Sequence, residues 1–161
     1  MNDSEFDDYF GRGTKLLHEG KASDAVPHLE KAHSMKPDYV DVTINLSGAY
    51  ILAGKFKKAV ALLETLSERE PDNPMVWTNL GAAYLGNPVL ARDQDQLRAI
   101  AAFERALEIR PAAPSVAYNI GLIYRDRQET EKAADWFRQA IQDNPNDHHA
   151  RRILAKMAET E

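Results

Sequence analysis

Pro37, Pro71, Pro111 and Pro145 stand 34, 40 and 34 residues apart, and each follows a helix-like stretch carrying Ala-x3-[Leu/Phe] on its apolar side. The same spacing recurs in Ala25, Ala59, Ala99 and Ala133, in Leu29, Leu63, Phe103 and Phe137, and in Ala32, Leu66, Ala106 and Ala140. A second series, Gly13, Ser47, Gly81 and Gly121 with Leu16, Tyr50, Tyr84 and Tyr124, runs at 34, 34 and 40. The two rulers differ only in where the longer step falls. Six additional residues therefore entered the third unit between Tyr84 and Ala99, near 86–93. A period this long describes units too small to enclose a core alone, so each must bury its apolar face against its neighbours.

Punctuation places the helices. In each unit a first helix, A, runs to a Gly or polar turn, and a second, B, stops before the Pro, whose ring disfavours helical geometry in the residue ahead of it. The expected spans are 6–18 and 23–36, 40–52 and 56–70, 74–85 and 93–109, and 114–126 and 130–143. Pro27 sits early enough in its helix to cost at most one backbone hydrogen bond. Gly13, Gly81 and Gly121, with Ser47, mark close approach of A to B, and Ala25, Ala59, Ala99 and Ala133 answer them from B. Tyr50, Tyr84, Phe103, Tyr124 and Phe137 fill the space between units. Ser4 with Asp7 resembles a capping box for the first helix. Residues 147–159 form an unpaired A-type helix with Ala150, Ile153, Leu154 and Met157 on one side, capped by Asn146 or Asp147 and covering the last B helix. The insertion is expected to lengthen the A-to-B turn of the third unit, with Asn87-Pro88 starting an extra helical turn, and to leave the stacking unchanged.

These residues resemble the tetratricopeptide repeat. The third unit is the fullest copy, reading Trp77-x2-Leu80-Gly81-x2-Tyr84, then Ala99, Phe103, Ala106 and Pro111. The fourth carries Ala117 in place of the Trp but keeps Ile120-Gly121, Tyr124, Ala133, Phe137, Ala140 and Pro145; the first is the most divergent. The resemblance implies an all-α fold, a right-handed α-solenoid of four helix-turn-helix units plus a C-terminal capping helix. It implies one domain over 1–161, with repeats at about 6–39, 40–73, 74–113 and 114–147. It also implies a non-catalytic protein-interaction module or scaffold that takes a partner segment in a concave groove. The alternative is a structural or assembly subunit that self-associates through convex or terminal surfaces.

Composition excludes several other roles. A net charge of −5 without a basic stripe argues against nucleic acid. With zero cysteines there is no disulfide, thiolate or sulfur-bound zinc chemistry. No apolar run approaches a membrane span, and the acidic start Met1-Asn2-Asp3-Ser4-Glu5 is unlike a secretory signal. A cytoplasmic monomer is the resulting expectation. No catalytic, metal or cofactor constellation is expected either: there is no phosphate loop, no His-Glu-x-x-His and no Gly-x-Ser-x-Gly. His28 and His33 lie about 140° apart around a helix and cannot share a metal, while His148 and His149 are adjacent. Both pairs read as solvated surface histidines.

In the family the concave surface is built from the A helices, which implies a groove lined in this chain by Asp41, Ile44, Asn45, Gly48, Ile51 and Leu52, then Met75, Thr78, Asn79, Ala82 and Leu85, then Ser115, Tyr118, Asn119, Leu122 and Arg125. The candidate peptide-binding residues are Asn45, Asn79, Asn119, Ile44, Leu52, Met75, Tyr118, Leu122 and Arg125. The three asparagines hold equivalent places, and an amide can pair with both the N–H and the C=O of an extended peptide. Bracing of neighbouring A helices is the competing role for the same amides. The family's carboxylate clamp for chaperone C-termini would fall on Phe10, Thr14, Asn45, Met75 and Asn79, and only Asn45 fits, so a chaperone adaptor is not expected.

Overall fold

The computed structural model describes residues 3–159, and among these it holds nine α-helices and no strand. The A helices are α1 (Asp3–His18), α3 (Val40–Leu52), α5 (Pro74–Leu85) and α7 (Val116–Asp126). The B helices are α2 (Ala22–Met35), α4 (Phe56–Arg69), α6 (Asp93–Ile109) and α8 (Thr130–Asp143), and α9 (His148–Ala158) ends the stack.

The turns repeat with the sequence. Between A and B, Gly20 and Gly54 take φ of 75° and 74°, and Gln128 takes 61° at the equivalent place. The residue that follows each turns its N–H back to a carbonyl in the helix before it: Lys21 to Leu16 at 2.9 Å, Lys55 to Tyr50 at 2.7 Å and Glu129 to Tyr124 at 2.9 Å. This is a Schellman closure, in which a left-handed residue lets orphan carbonyls be satisfied. Between B and the next A, Lys36, Glu70, Arg110 and Asn144 precede the prolines and leave helical geometry, while their N–H groups still reach Ala32, Leu66, Ala106 and Ala140.

Two helix starts differ from the sequence reading. Ser4 is a helical residue, because α1 already includes Asp3, so it is not the first cap. Helix α7 begins at Val116 rather than 114, because Ser115 stands at φ 63° and interrupts the helical run after Pro114. Asp147 does cap α9, its Oδ1 accepting from the Ala150 N–H at 2.9 Å.

The insertion divides between loop and helix. Seven residues, 86–92, separate α5 from α6, against three in each other A-to-B turn, and α6 has 17 residues where α2, α4 and α8 have 14. Asn87 accepts from the Val89 N–H through its side chain at 3.0 Å and from Leu90 through its carbonyl at 3.0 Å, making one turn rather than a helix. The added turn of α6 brings Asp93 and Gln96 to the Arg127 guanidinium at the end of α7. The extra residues therefore lengthen a helix as well as a turn, which their spacing alone could not separate.

Apolar burial runs continuously along the stack. One cluster joins Leu29, Leu46, Leu63 and Leu80 across the first three helix pairs, a second joins Phe103 to Val116 and Ile120, and a third joins Ala117, Phe137 and Ala140 to Ala150 of α9. Gly13, Gly81 and Gly121 lie directly under Leu29, Phe103 and Phe137, which accounts for the small residue at that place in each A helix.

Candidate functional site

Helix α3 packs directly on both α1 and α5, whereas the B helices are joined chiefly through the A helices between them. The A helices α1, α3 and α5 therefore form the closely spaced layer of the stack. In this layer Asn45 donates through Nδ2 to Thr14 Oγ1 of α1 at 3.0 Å. Asn79 donates through Nδ2 to Ser47 Oγ at 3.3 Å and to the Ile44 carbonyl at 3.4 Å, both on α3. Two of the three amides thus brace neighbouring A helices. Asn119 makes no side-chain hydrogen bond among the described residues. The places of Ser47 and Thr14 are taken on α5 by Gly81 and Ala82, which offer no hydroxyl. The Oδ1 atoms of Asn45 and Asn79 are likewise unengaged among the described residues, so both amides keep acceptor capacity.

The other candidates divide by exposure. Leu52 and Met75 are 67% and 55% exposed, large apolar side chains open to solvent. Tyr118 and Leu122 are half-buried and pack toward the last core cluster, Tyr118 with its ring 5.9 Å from that of Phe137. Arg125 is exposed and engages Asp126 at 3.0 Å. Ile44 is a correction: its side chain is 5% exposed and belongs to the core, so only its carbonyl takes part in the Asn79 contact. Beside these, Gly48 has open space where a side chain would stand, with only Asn79 Nδ2 at 4.0 Å.

A second recurrent arrangement escaped the sequence reading. Tyr50 donates its hydroxyl to Glu30 at 2.6 Å while Lys58 lies over its ring, and Tyr84 donates to Glu64 at 2.8 Å with Arg98 over its ring. Lys132 lies over Tyr124 in the same way, but no hydrogen bond joins Tyr124 to Glu104, the residue in the equivalent place. The signal was available, since Glu30, Glu64 and Glu104 follow the 34 and 40 spacing of the alanines. Burial, then the Glu30 carboxylate, push the Tyr50 hydroxyl well above its usual range, and the Tyr50 hydrogen bond holds Glu30 below the ordinary glutamate value.

Tyr50→Phe is expected to lower stability by about 1 kcal/mol, allowing for the solvent that reaches Glu30. Because the folded pKa of Glu30 is depressed, this stabilisation is complete above the ordinary value of 4.5 and is lost as the pH falls below it. Urea titrations of both proteins at neutral and acid pH check the size and the sign, since the difference should shrink on acidification.

The histidines need one further correction. His33 is half-buried, and burial lowers its pKa. His28 is also half-buried, with its ring 6.1 Å from Tyr9. Of the two pairs, His148 and His149 are the exposed one, and His149 Nδ1 lies 2.8 Å from Arg152.

Two family profiles, both described as tetratricopeptide repeat, match residues 16–83 and 89–148. The chain belongs to the tetratricopeptide repeat family. Among solved structures, TTC0263, a thermophilic tetratricopeptide protein of Thermus thermophilus, superposes with a TM-score of 0.82 at 21% identity, covering 96% of this chain and 82% of that one. MamA of AMB-1 superposes with a TM-score of 0.72 at 27% identity, covering 99% of this chain and 84% of the other. Among curated proteins, the human protein O-mannosyl-transferase TMTC3 is 25% identical over 146 residues. That alignment takes in 91% of this chain but only 15% of TMTC3, so this chain spans a small part of that relative's length. The tetratricopeptide solenoid is a protein-interaction scaffold, a fold typically without catalysis of its own. No helix among the described residues is long and apolar enough to cross a membrane.

Proposed function

We propose that this tetratricopeptide solenoid acts as a non-catalytic, monomeric cytoplasmic module that captures an extended segment of a partner protein on the concave face of α3, α5 and α7. The observation that carries this reading is the asparagine row. Asn45 and Asn79 use their donors for bracing and keep their acceptors for a ligand N–H, while Asn119 keeps its whole amide. Leu52 and Met75 add exposed apolar contact beside the row, and Gly48 leaves room for a ligand backbone. Amides of this kind hold main chain without reading side chains, so preference comes from the ends of the groove. Asp7 and Asp41 favour basic ligand residues at one end, and Arg125, Arg152 and Lys156 favour acidic ones at the other.

The test uses a partner recovered from the native cell by affinity capture and then purified. Each amide contact contributes on the order of 1 kcal/mol, so Asn119→Ala should weaken binding several-fold, and the triple change of Asn45, Asn79 and Asn119 to Ala roughly a hundredfold. Asn119→Ala is the clean case, because it removes no internal hydrogen bond and should leave the melting temperature unchanged. Unchanged affinity in a folded triple variant would leave the asparagines as braces alone and move the interaction off this face.

A further inference from the structure

A separate groove lies at the edge where the A-to-B turns emerge, built by the insertion. Gly86, at φ 60° and ψ −131°, turns the chain back at the end of α5, in a conformation that residues with a Cβ rarely adopt. The loop then runs above the start of α4, with the Gly86 Cα so near Phe56 that a Cβ would sit 3.5 Å from its ring. The space between them has a volume of about 1170 Å³ and an apolar floor that includes Phe56, Tyr84 and Leu90. Leu90 is 76% exposed, and its neighbour Val89 is 90% exposed. Clustered apolar side chains left in water on a charged surface mark contact sites.

Charge says what fits there. Lys55, Lys57, Lys58 and Arg98 all line the groove, with Asp95 as the one carboxylate among its walls. Asp95 is committed to the start of α6, accepting from the Arg92 N–H at 3.1 Å. Lys58 and Arg98 reach Glu30 and Glu64, at 3.4 and 3.1 Å, while Lys55 and Lys57 form no ion pair among the described residues. On a chain of net charge −5 this is a local reversal of sign. Its small extent suits a short acidic segment, whereas a nucleic acid backbone would bring many more phosphates against an acidic protein.

We propose that this groove docks an acidic segment of a partner protein, which inserts one large apolar residue between Phe56 and Leu90 while its carboxylates meet Lys55 and Lys57. Fluorescence anisotropy with the full chain tests it, using labelled glutamate-rich peptides that carry a single central Phe, Leu or Trp. Saturable binding is expected, weakened about tenfold by Leu90→Ser and about tenfold by the pair Lys55→Glu and Lys57→Glu. These side chains are exposed, so thermal melting should show every variant folded. The triple asparagine variant should bind the peptides normally, which separates this groove from the concave face.

Absence of saturable binding by all three peptides overturns the proposal. So does equal binding of a peptide with Ser at the central position, which would reduce the groove to a charge effect. A single-stranded oligonucleotide that binds in a Leu90-dependent manner would give the groove to nucleic acid instead. A dimer seen by light scattering and dissolved by Leu90→Ser would mean that a second copy of the chain covers it.

Discussion

Ending the chain at Pro145, so that α9 is lost, is expected to lower the free energy of unfolding by about 3–5 kcal/mol and to make the protein associate. The size follows from what α9 covers. Ala150 is fully buried, and Ile153, Leu154 and Met157 pack against the cluster of Ala133, Phe137 and Ala140. Partial burial of three large aliphatic side chains is worth about 1 kcal/mol each. The Asp147 cap adds about 1 kcal/mol, which disappears with the helix it starts. In a stack where each pair of helices touches only its neighbours, the end has no second interface to compensate. Domains of this size hold only about 5–15 kcal/mol in total, so the loss is a large fraction. Urea unfolding gives the size, and light scattering reports the association of the uncovered Phe137 face. A truncated chain that unfolds at the same urea concentration as the whole would show that α9 is not a cap.

Gly81→Val should cost about 3 kcal/mol, while Gly11→Ala, also within an A helix, should stabilise by up to about 1 kcal/mol. The two glycines differ in what surrounds them. A Cβ at Gly81 would lie 2.7 Å from two carbons of the Phe103 ring, and Phe103 is 1% exposed and cannot swing aside. The substitution must push α5 from α6 within the third unit. At Gly11 nothing lies within 4 Å, so an added methyl simply removes the conformational freedom of glycine in the unfolded chain. Chemical denaturation of both variants decides the matter, and equal effects would contradict the packing account.

Much of this was legible in the sequence. Pro37, Pro71, Pro111 and Pro145 act on the backbone of the residue before them, a local effect, and the helix ends they predict agree with the structure to within a residue. Gly81 and Gly121 were legible because a missing side chain is itself a packing statement. The start of α7 was not, since the left-handed turn at Ser115 has no signature in that residue type. Nor was the division of the insertion, because spacing counts residues without saying whether they join a loop or extend α6.

The asparagines show the limit most clearly. Their equivalence was plain from the repeat, but what Asn45 and Asn79 bond to depends on hydroxyls 31 and 32 residues earlier in the chain. Whether Thr14, Ser47 or Gly81 faces the amide decides between bracing and a free group. Ile44 failed for a related reason. On a helix whose residues are largely apolar all round, as in α3, periodicity does not separate the groove side from the core side.

The central claim, that the concave face holds a partner's backbone, is tested most directly by the side-chain amide resonances of Asn45, Asn79 and Asn119 in ¹H–¹⁵N NMR spectra, assigned by single substitution and followed as the captured partner segment is titrated in. The account predicts that all three shift, saturating at one common affinity, with Asn119 moving most because its amide is unpaired in the free protein. Three unmoved asparagine amides, under a titration that shifts other signals to saturation, would contradict it.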